Sequence, residues 1–324
     1  MAEATYLEAI KVGMRDEMRR DERVYIMGED VGAFGGAFKV TAGLIDEFGP
    51  MRVIDTPLSE AAIVGAAVGS ALLGQRPIAE MQFMDFIVCG FDQIVNMAAK
   101  LYYRNRMKVP IVIRGPSGGG VHGGPFHSQN PEAWFVHVPG LKVVAPSSVL
   151  DAYGLIKSAV RDDNPVLYFE HKFLYRRLKD ELPDGDYTVP IGEARVVREG
   201  TDLTIYTYGW MVEQATEAAD VLAGEGVSAE IVDLRTLLPL DREAILRSIE
   251  KTSKALIVHE DTKTLGVGAE VAAILAEDAF DLLDGPIVRV TAPDTPVPFS
   301  PPLERAFLPN AEKIADAARR LAAY

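Results

Sequence analysis

The stretch "RVIDTPLSEAAIVGAA", residues 52–67, decides the fold. A short apolar run, "RVID", is cut off by Pro57, whose missing N–H cannot serve a sheet ladder. Ser59 is placed to cap a helix, Glu60 falls in its first turn, and an apolar series of helical length follows. A strand, a turn and a buried helix are therefore predicted. The same order recurs on both sides of this stretch. "VYIM", "PIAEMQF", "VPIVIRG", "LKVVAP" and "PVLYFE" read as further buried strands, with helices near 60–73, 91–103 and 148–161. Upstream, Thr5 and Glu8 have the spacing of a capping box, opening a helix with Leu7, Ile10, Met14 and Met18 on its apolar face. Strands alternating with helices predict a parallel α/β architecture.

Along "KDELPDGDYTVPIGEARVVREG", residues 179–200, the pattern lapses into turn-forming and charged residues. Beyond it "DLTIYTYG", "SAEIVDL", "KALIVHED" and "PIVRVTAP" open a second strand and helix series, and "NAEKIADAARRLAAY" reads as a docking helix. Two parallel-sheet α/β domains are expected, residues 1–190 and 191–324. Composition fits: 324 residues with 48% apolar content suffice for two cores. A net charge of −14 without any basic block disfavours nucleic acid and anionic membrane as partners. The longest uncharged apolar run, "AAIVGAAVGSALLG", falls short of the roughly 18 residues a bilayer span needs, so no membrane span is expected. The charged amino terminus shows no secretory signal, and a cytoplasmic protein, or the mature form of an organellar one, is expected. The single cysteine, Cys89 in "FIVCGF", reads as a buried structural thiol.

Common nucleotide and metal signatures are missing. "GVGAEV", residues 266–271, lacks the third glycine and the acidic partner of a dinucleotide site, and no Walker loop or zinc spacing occurs. Strand-end loops are more informative, because open parallel sheets bind ligands at the carboxyl edge of their strands. Glu60 either complements its helix dipole or is a carboxyl held at that edge, where burial would raise its pKa and let it share a proton with a ligand nitrogen. In "AEMQFMDF", residues 79–86, Gln82 and Phe86 either present an amide and an aromatic face to the same edge or join the core. "GEDVGAFGGAFKV", residues 28–40, adds glycines and two acids, and "PSGGGVHGGPFHSQNPEAWF", residues 116–135, places two histidines on a glycine-rich loop. Four strand-end loops thus converge on one edge.

The ordered set "GEDVGAFGGAFKVT", "DTPLSEAAIVGAAVG", "AEMQFMDF", "FDQIVNMAAK", "SGGGVHGGPFHSQNPEAWF", "PGLKVVAPS", "RDDNPVLYFEHKFLYR" and "VDLRTLLPLD" closely resembles the beta subunit of the thiamine-diphosphate-dependent decarboxylating component of 2-oxo acid dehydrogenase complexes. The resemblance covers essentially the whole chain. It implies a transketolase-like pyrimidine-binding domain followed by a transketolase carboxyl-terminal domain. It also implies that Glu60 hydrogen-bonds the aminopyrimidine and favours its imino tautomer, that Phe86 stacks on that ring, and that Leu58 and Gln82 are neighbouring contacts. Glu29 corresponds to an acid near the cofactor. His127 resembles the histidine that faces substrate and the incoming lipoyl group; His122 ranks below it.

Members of this class hold the diphosphate through Mg2+ on a GDG segment with a later asparagine, since that anion needs a divalent cation and oxygen ligands. No GDG occurs here, "PDGDY" being the nearest string. The resemblance therefore implies an alpha subunit that supplies the other half of the cofactor site in an α2β2 heterotetramer, and a lipoyl-bearing dihydrolipoyl acyltransferase core as the acyl acceptor. It further suggests K+ held by main-chain carbonyls at Val109, Ile111, Ala159, Asp162 and Asn164. "EHK" and "DTPVPFSPPLE" look like pyruvate or acetoin systems, whereas "AEMQF" and "HSQNPEAWF" also suit branched-chain ones. Two alternatives stand beside this reading: a self-sufficient transketolase-like enzyme, and a noncatalytic scaffold that docks an acyltransferase core.

Overall fold

The computed structural model describes residues 3–324. They form two compact units, one running to Ser117 and resuming over Trp134–Ile191, the other made of Gly118–Ala133 and Gly192–Tyr324.

In the first unit six strands lie side by side in the order Lys142–Val144, Val166–His171, Val112–Ser117, Arg76–Glu80, Val24–Gly28 and Val53–Asp55. Every pairing among them is parallel. Burial on both faces explains why these strands read as continuous apolar runs. Register aligns their ends: Gly28 sits opposite both Asp55 and Glu80, and Glu80 opposite Arg114. Helix Tyr6–Arg20 opens with the expected capping box at Thr5 and Glu8, and buries Leu7, Ile10, Met14 and Met18. It packs on helix Val149–Arg161, which Ser148 caps by accepting from the Asp151 amide. A short antiparallel pair joins Glu3–Thr5 to Lys179–Glu181.

Helix Glu60–Leu72 starts where the sequence placed it, but Ser59 makes no capping bond with its side chain. The helix expected near 91–103 begins as a π-helical turn, Gln93–Ala98, and becomes α-helical over Ala99–Asn105. Cys89 corrects another expectation: it is exposed, not buried. It lies on the 3-10 helix Met84–Gly90, which turns its Val88 and Cys89 side outward while Met84, Asp85 and Ile87 face in.

The second unit's sheet runs Val288–Ala292, Ala255–Thr262, Leu203–Thr207, Ala229–Asp233 and Arg195–Arg198. The first four are parallel, and the last is an antiparallel edge strand within the stretch that reads as a linker. Its half-exposed residues and terminal arginines are typical of a protected sheet edge, which carries little apolar signal. Helix Ala311–Ala322 closes the chain, capped by Asn310. No helix among the described residues is long and apolar enough to cross a membrane.

Candidate active site

The aligned strand ends of the first unit gather acids. Glu29 and Asp30 follow strand Val24–Gly28, Asp55 ends its neighbour, and Glu60 opens helix Glu60–Leu72. Asp55 accepts from the Gly32 amide at 2.6 Å, and Gln82 donates to Asp30 at 3.2 Å, so both loops are tied to this edge. Glu29 and Glu60 are buried, and Oε1 of Glu29 has no hydrogen-bond partner among the described residues. Burial raises the pKa of Glu29, the negative charges of Glu60 and Asp30 raise it further, and a hydrogen bond with the Ser59 backbone opposes them. The structure therefore brings Glu29, Glu60 and Gln82 to one edge. Phe86 is half-buried there, its ring edge-on to Phe83 at 5.9 Å, and Phe83 in turn meets Phe38. Leu58 is 79% exposed and contributes apolar surface at the turn before the helix.

Directly beneath lies a charged group that the sequence reading did not single out. Arg114, fully buried, bridges Glu80 and Glu170, and Tyr175 donates to the same Glu170 carboxylate at 2.6 Å. Burial pushes Glu80 up to about 7; the Arg114 charge opposes this and the Glu170 charge adds to it. Gly36 has a left-handed φ of +78°, and a Cβ there would stand 2.7 Å from Oε1 of Glu80. The network thus supports the glycine-rich loop that follows Glu29. A charged residue inside each of "VPIVIRG", "PIAEMQF" and "PVLYFE" was the available signal.

His127 belongs to the second unit, on loop Gly118–Ala133. It ends the 3-10 turn Gly124–Phe126, and both Phe126 and His127 are exposed. Farther along, buried Glu132 accepts from the Tyr208 hydroxyl at 2.9 Å. Burial first, and the Asp261 charge second, push Glu132 up to about 8. Asp261 is pushed up to about 6 and the buried His259 down to about 4, both chiefly by burial.

A pH dependence follows. A carboxyl whose folded pKa exceeds its unfolded value contributes stability that is full below the unfolded pKa and lost as pH rises through the folded one. His259 has the opposite sign, and its contribution is complete above its ordinary 6.5. Asp261 and His259 oppose each other below that pH; above it Glu132 dominates, and Glu80, pushed up to about 7, adds a smaller loss of the same sign. Between about pH 6.5 and 8.5 the chain's unfolding free energy is expected to fall by roughly 2–3 kcal/mol, most of it from Glu132. Glu132→Gln should reduce this slope by more than half in denaturant titrations at several pH values; an unchanged slope would refute the assignment.

The residues suggested for a monovalent cation surround the turn between helix Val149–Arg161 and strand Val166–His171. Their carbonyls already accept hydrogen bonds: Val109 from Ile111, Ile111 from Val166, Ala159 from Asp162, and Asp162 from Arg76. The Asp162 side chain pairs with Lys142 and accepts from the Asn164 amide. Each carbonyl oxygen retains a second lone pair. Among the described residues, no group of three or more His, Cys, Asp or Glu side chains is arranged to hold a metal ion.

Comparison with known proteins accounts for both units. The profile of the family described as "Transketolase, pyrimidine binding domain" matches residues 2–177, and that of "Transketolase, C-terminal domain" matches residues 192–314. The chain is 52% identical to the 2-oxoisovalerate dehydrogenase subunit beta of Bacillus subtilis, over 100% of both chains. It is 46% identical to the pyruvate dehydrogenase E1 component subunit beta of the same organism, over 99% of each. Identity is also 46% with the mitochondrial counterpart of Dictyostelium discoideum, over 98% of this chain and 91% of that one. Among solved structures, a split-gene transketolase described as an inactive beta4 tetramer shares the fold, with a TM-score of 0.81, 23% identity and 98% coverage of both chains. With two transketolase-type domains and full-length identity of this order, the chain belongs to the family of 2-oxo acid dehydrogenase E1 beta subunits.

Proposed function

We propose that this chain, joined by an alpha subunit in an α2β2 assembly, carries out thiamine-diphosphate-dependent oxidative decarboxylation of a 2-oxo acid and passes the acyl group to the lipoyl arm of a dihydrolipoyl acyltransferase core. The observation that carries this reading is the electrostatically coupled pair of buried acids, Glu29 and Glu60, at the carboxyl edge of the first sheet. An aminopyrimidine offers N–H donors and ring-nitrogen acceptors. The open Oε1 of Glu29 and the buried Glu60 carboxyl match those groups, so the residues present fit the pyrimidine end of the cofactor. Thiamine diphosphate, when bound, supplies the carbanion chemistry that releases carbon dioxide. The chain's own part is to hold and exchange a proton at the ring nitrogen through Glu60, with Phe86, Leu58 and Gln82 orienting the ring. His127 has a side chain whose ordinary pKa lies near neutrality, suited to delivering a proton to the departing lipoyl sulfur.

The diphosphate and its Mg2+ belong to the alpha subunit in this reading, because the chain lacks the GDG segment. K+ would use the remaining carbonyl lone pairs at Val109, Ile111, Ala159 and Asp162, beside Asn164. The higher identity to the 2-oxoisovalerate subunit than to the pyruvate ones supports a branched-chain substrate. The test is to assay the chain alone and with its alpha partner, thiamine diphosphate and Mg2+ on pyruvate, acetoin and 2-oxoisovalerate. Turnover is expected only in the mixture, and fastest on the branched acid. Appreciable turnover by this chain alone would overturn the split site.

A further inference from the structure

We infer that Glu304 is a positioning residue for His127, with Glu260 as a second support, and that His122 is the point at which their loop is fastened. This rests on the proposed role of His127. Glu304 lies on helix Pro301–Phe307 and is 1% exposed, so its carboxylate needs partners from protein. The loop supplies them. Glu304 accepts from the Gly120 amide at 3.1 Å and from the His122 amide at 3.2 Å, and it pairs with Nδ1 of His122. Glu260, also buried, accepts from the Gly119 amide. Two acids from the body of the second unit therefore hold three backbone amides within four residues of loop.

The local backbone shows why such a clamp is needed. His122 has φ +61°, in the left-handed region that residues with a Cβ seldom occupy. Its amide and ring both bond to one carboxylate, which keeps it there. The clamped segment is in turn packed against the residues that follow. The Gly118 amide donates to the Gln129 carbonyl at 2.9 Å, and a Cβ on Gly123 would stand 2.8 Å from the His127 carbonyl. At the far end the Tyr208–Glu132 bond fastens the loop again. His127 and Phe126 are thus exposed on a short span tied down on both sides, and a shift at residues 119–122 is passed on through Gly123, which lies close against the His127 carbonyl.

A proton donor displaced by about 1 Å loses on the order of 10²-fold in rate. In the assembled enzyme, Glu304→Ala is expected to lower acyl transfer to a lipoyl domain about 10–100-fold, chiefly in kcat. Amides of residues 119–128 should exchange hydrogen faster in that variant. If Glu304 acts through His127, the double variant Glu304→Ala/His127→Ala should transfer at the rate of His127→Ala, within about twofold. If Glu304→Ala does not assemble, Glu304→Gln carries the same cycle, since its amide oxygen still accepts while its NH2 opposes the loop amides. Losses that multiply in the double variant, or unchanged exchange at residues 119–128, would overturn the inference alone. A wild-type transfer rate in His127→Ala would instead bring down the role of His127, and this inference with it.

Discussion

Glu60→Gln is expected to lower decarboxylation by the assembled enzyme about 10²–10⁴-fold, the range that loss of a positioned acid–base group produces. Glutamine keeps the size of the side chain and an oxygen that accepts a hydrogen bond, but it cannot take up or return a proton at neutral pH. Assembly and cofactor affinity should therefore change far less than turnover. A second signature accompanies the first. The negative charge of Glu60 is, after burial, the next contributor to the raised pKa of Glu29. Neutralising it removes a like-charge interaction, so the pKa of Glu29 should fall. Carbon-13 chemical shifts of the Glu29 carboxyl across a pH titration would read this directly. A variant with near wild-type turnover would remove Glu60 from the chemistry.

Arg114→Met should destabilise the chain by about 3–5 kcal/mol, because it leaves two buried carboxylates facing each other with no counter-charge. Glu80 and Glu170 both bond to this guanidinium, and none of the three side chains is more than 4% exposed. The loss should depend on pH. With Arg114 present, its positive charge restrains the rise of Glu80, which still reaches about 7. Without it, Glu80 loses the charge that opposes its rise and is pushed further up, so the folded chain holds a proton that the unfolded chain releases. Stability then declines as the pH rises through neutrality, and the penalty is smaller near pH 5 than near pH 8. Denaturant midpoints at the two pH values test this. Equal, small losses would mean that the network is not the support described above.

These two expectations differ in how far sequence alone leads to them. Glu60 was legible because Pro57 and Ser59 punctuate the chain just before a helix, and a strand ends just ahead of them; three local signals place one carboxyl at a sheet edge. The order of the apolar runs likewise carried the parallel α/β architecture. Arg114, Glu80 and Glu170 were not legible as a group. Each interrupts an apolar run, but only the pairing of three separate strands puts them in one plane. Glu304 is more remote still, 184 positions from the glycine it holds. Ser59 shows the limit of local rules: it occupies the cap position, while its side chain does not cap. The edge strand Arg195–Arg198 was hidden for the opposite reason, since edges are built to look unlike core.

The outward-facing Cys89 has a practical consequence. The chain contains one sulfhydryl, and it lies on the surface, where partial burial first and then the charges of Glu60 and Glu29 help keep it protonated. A maleimide or nitroxide label can thus be attached at a single place without engineering. Because only the thiolate reacts, a change in the speed of that attachment when either acid is neutralised is a built-in electrometer for the two acids on which turnover is proposed to depend.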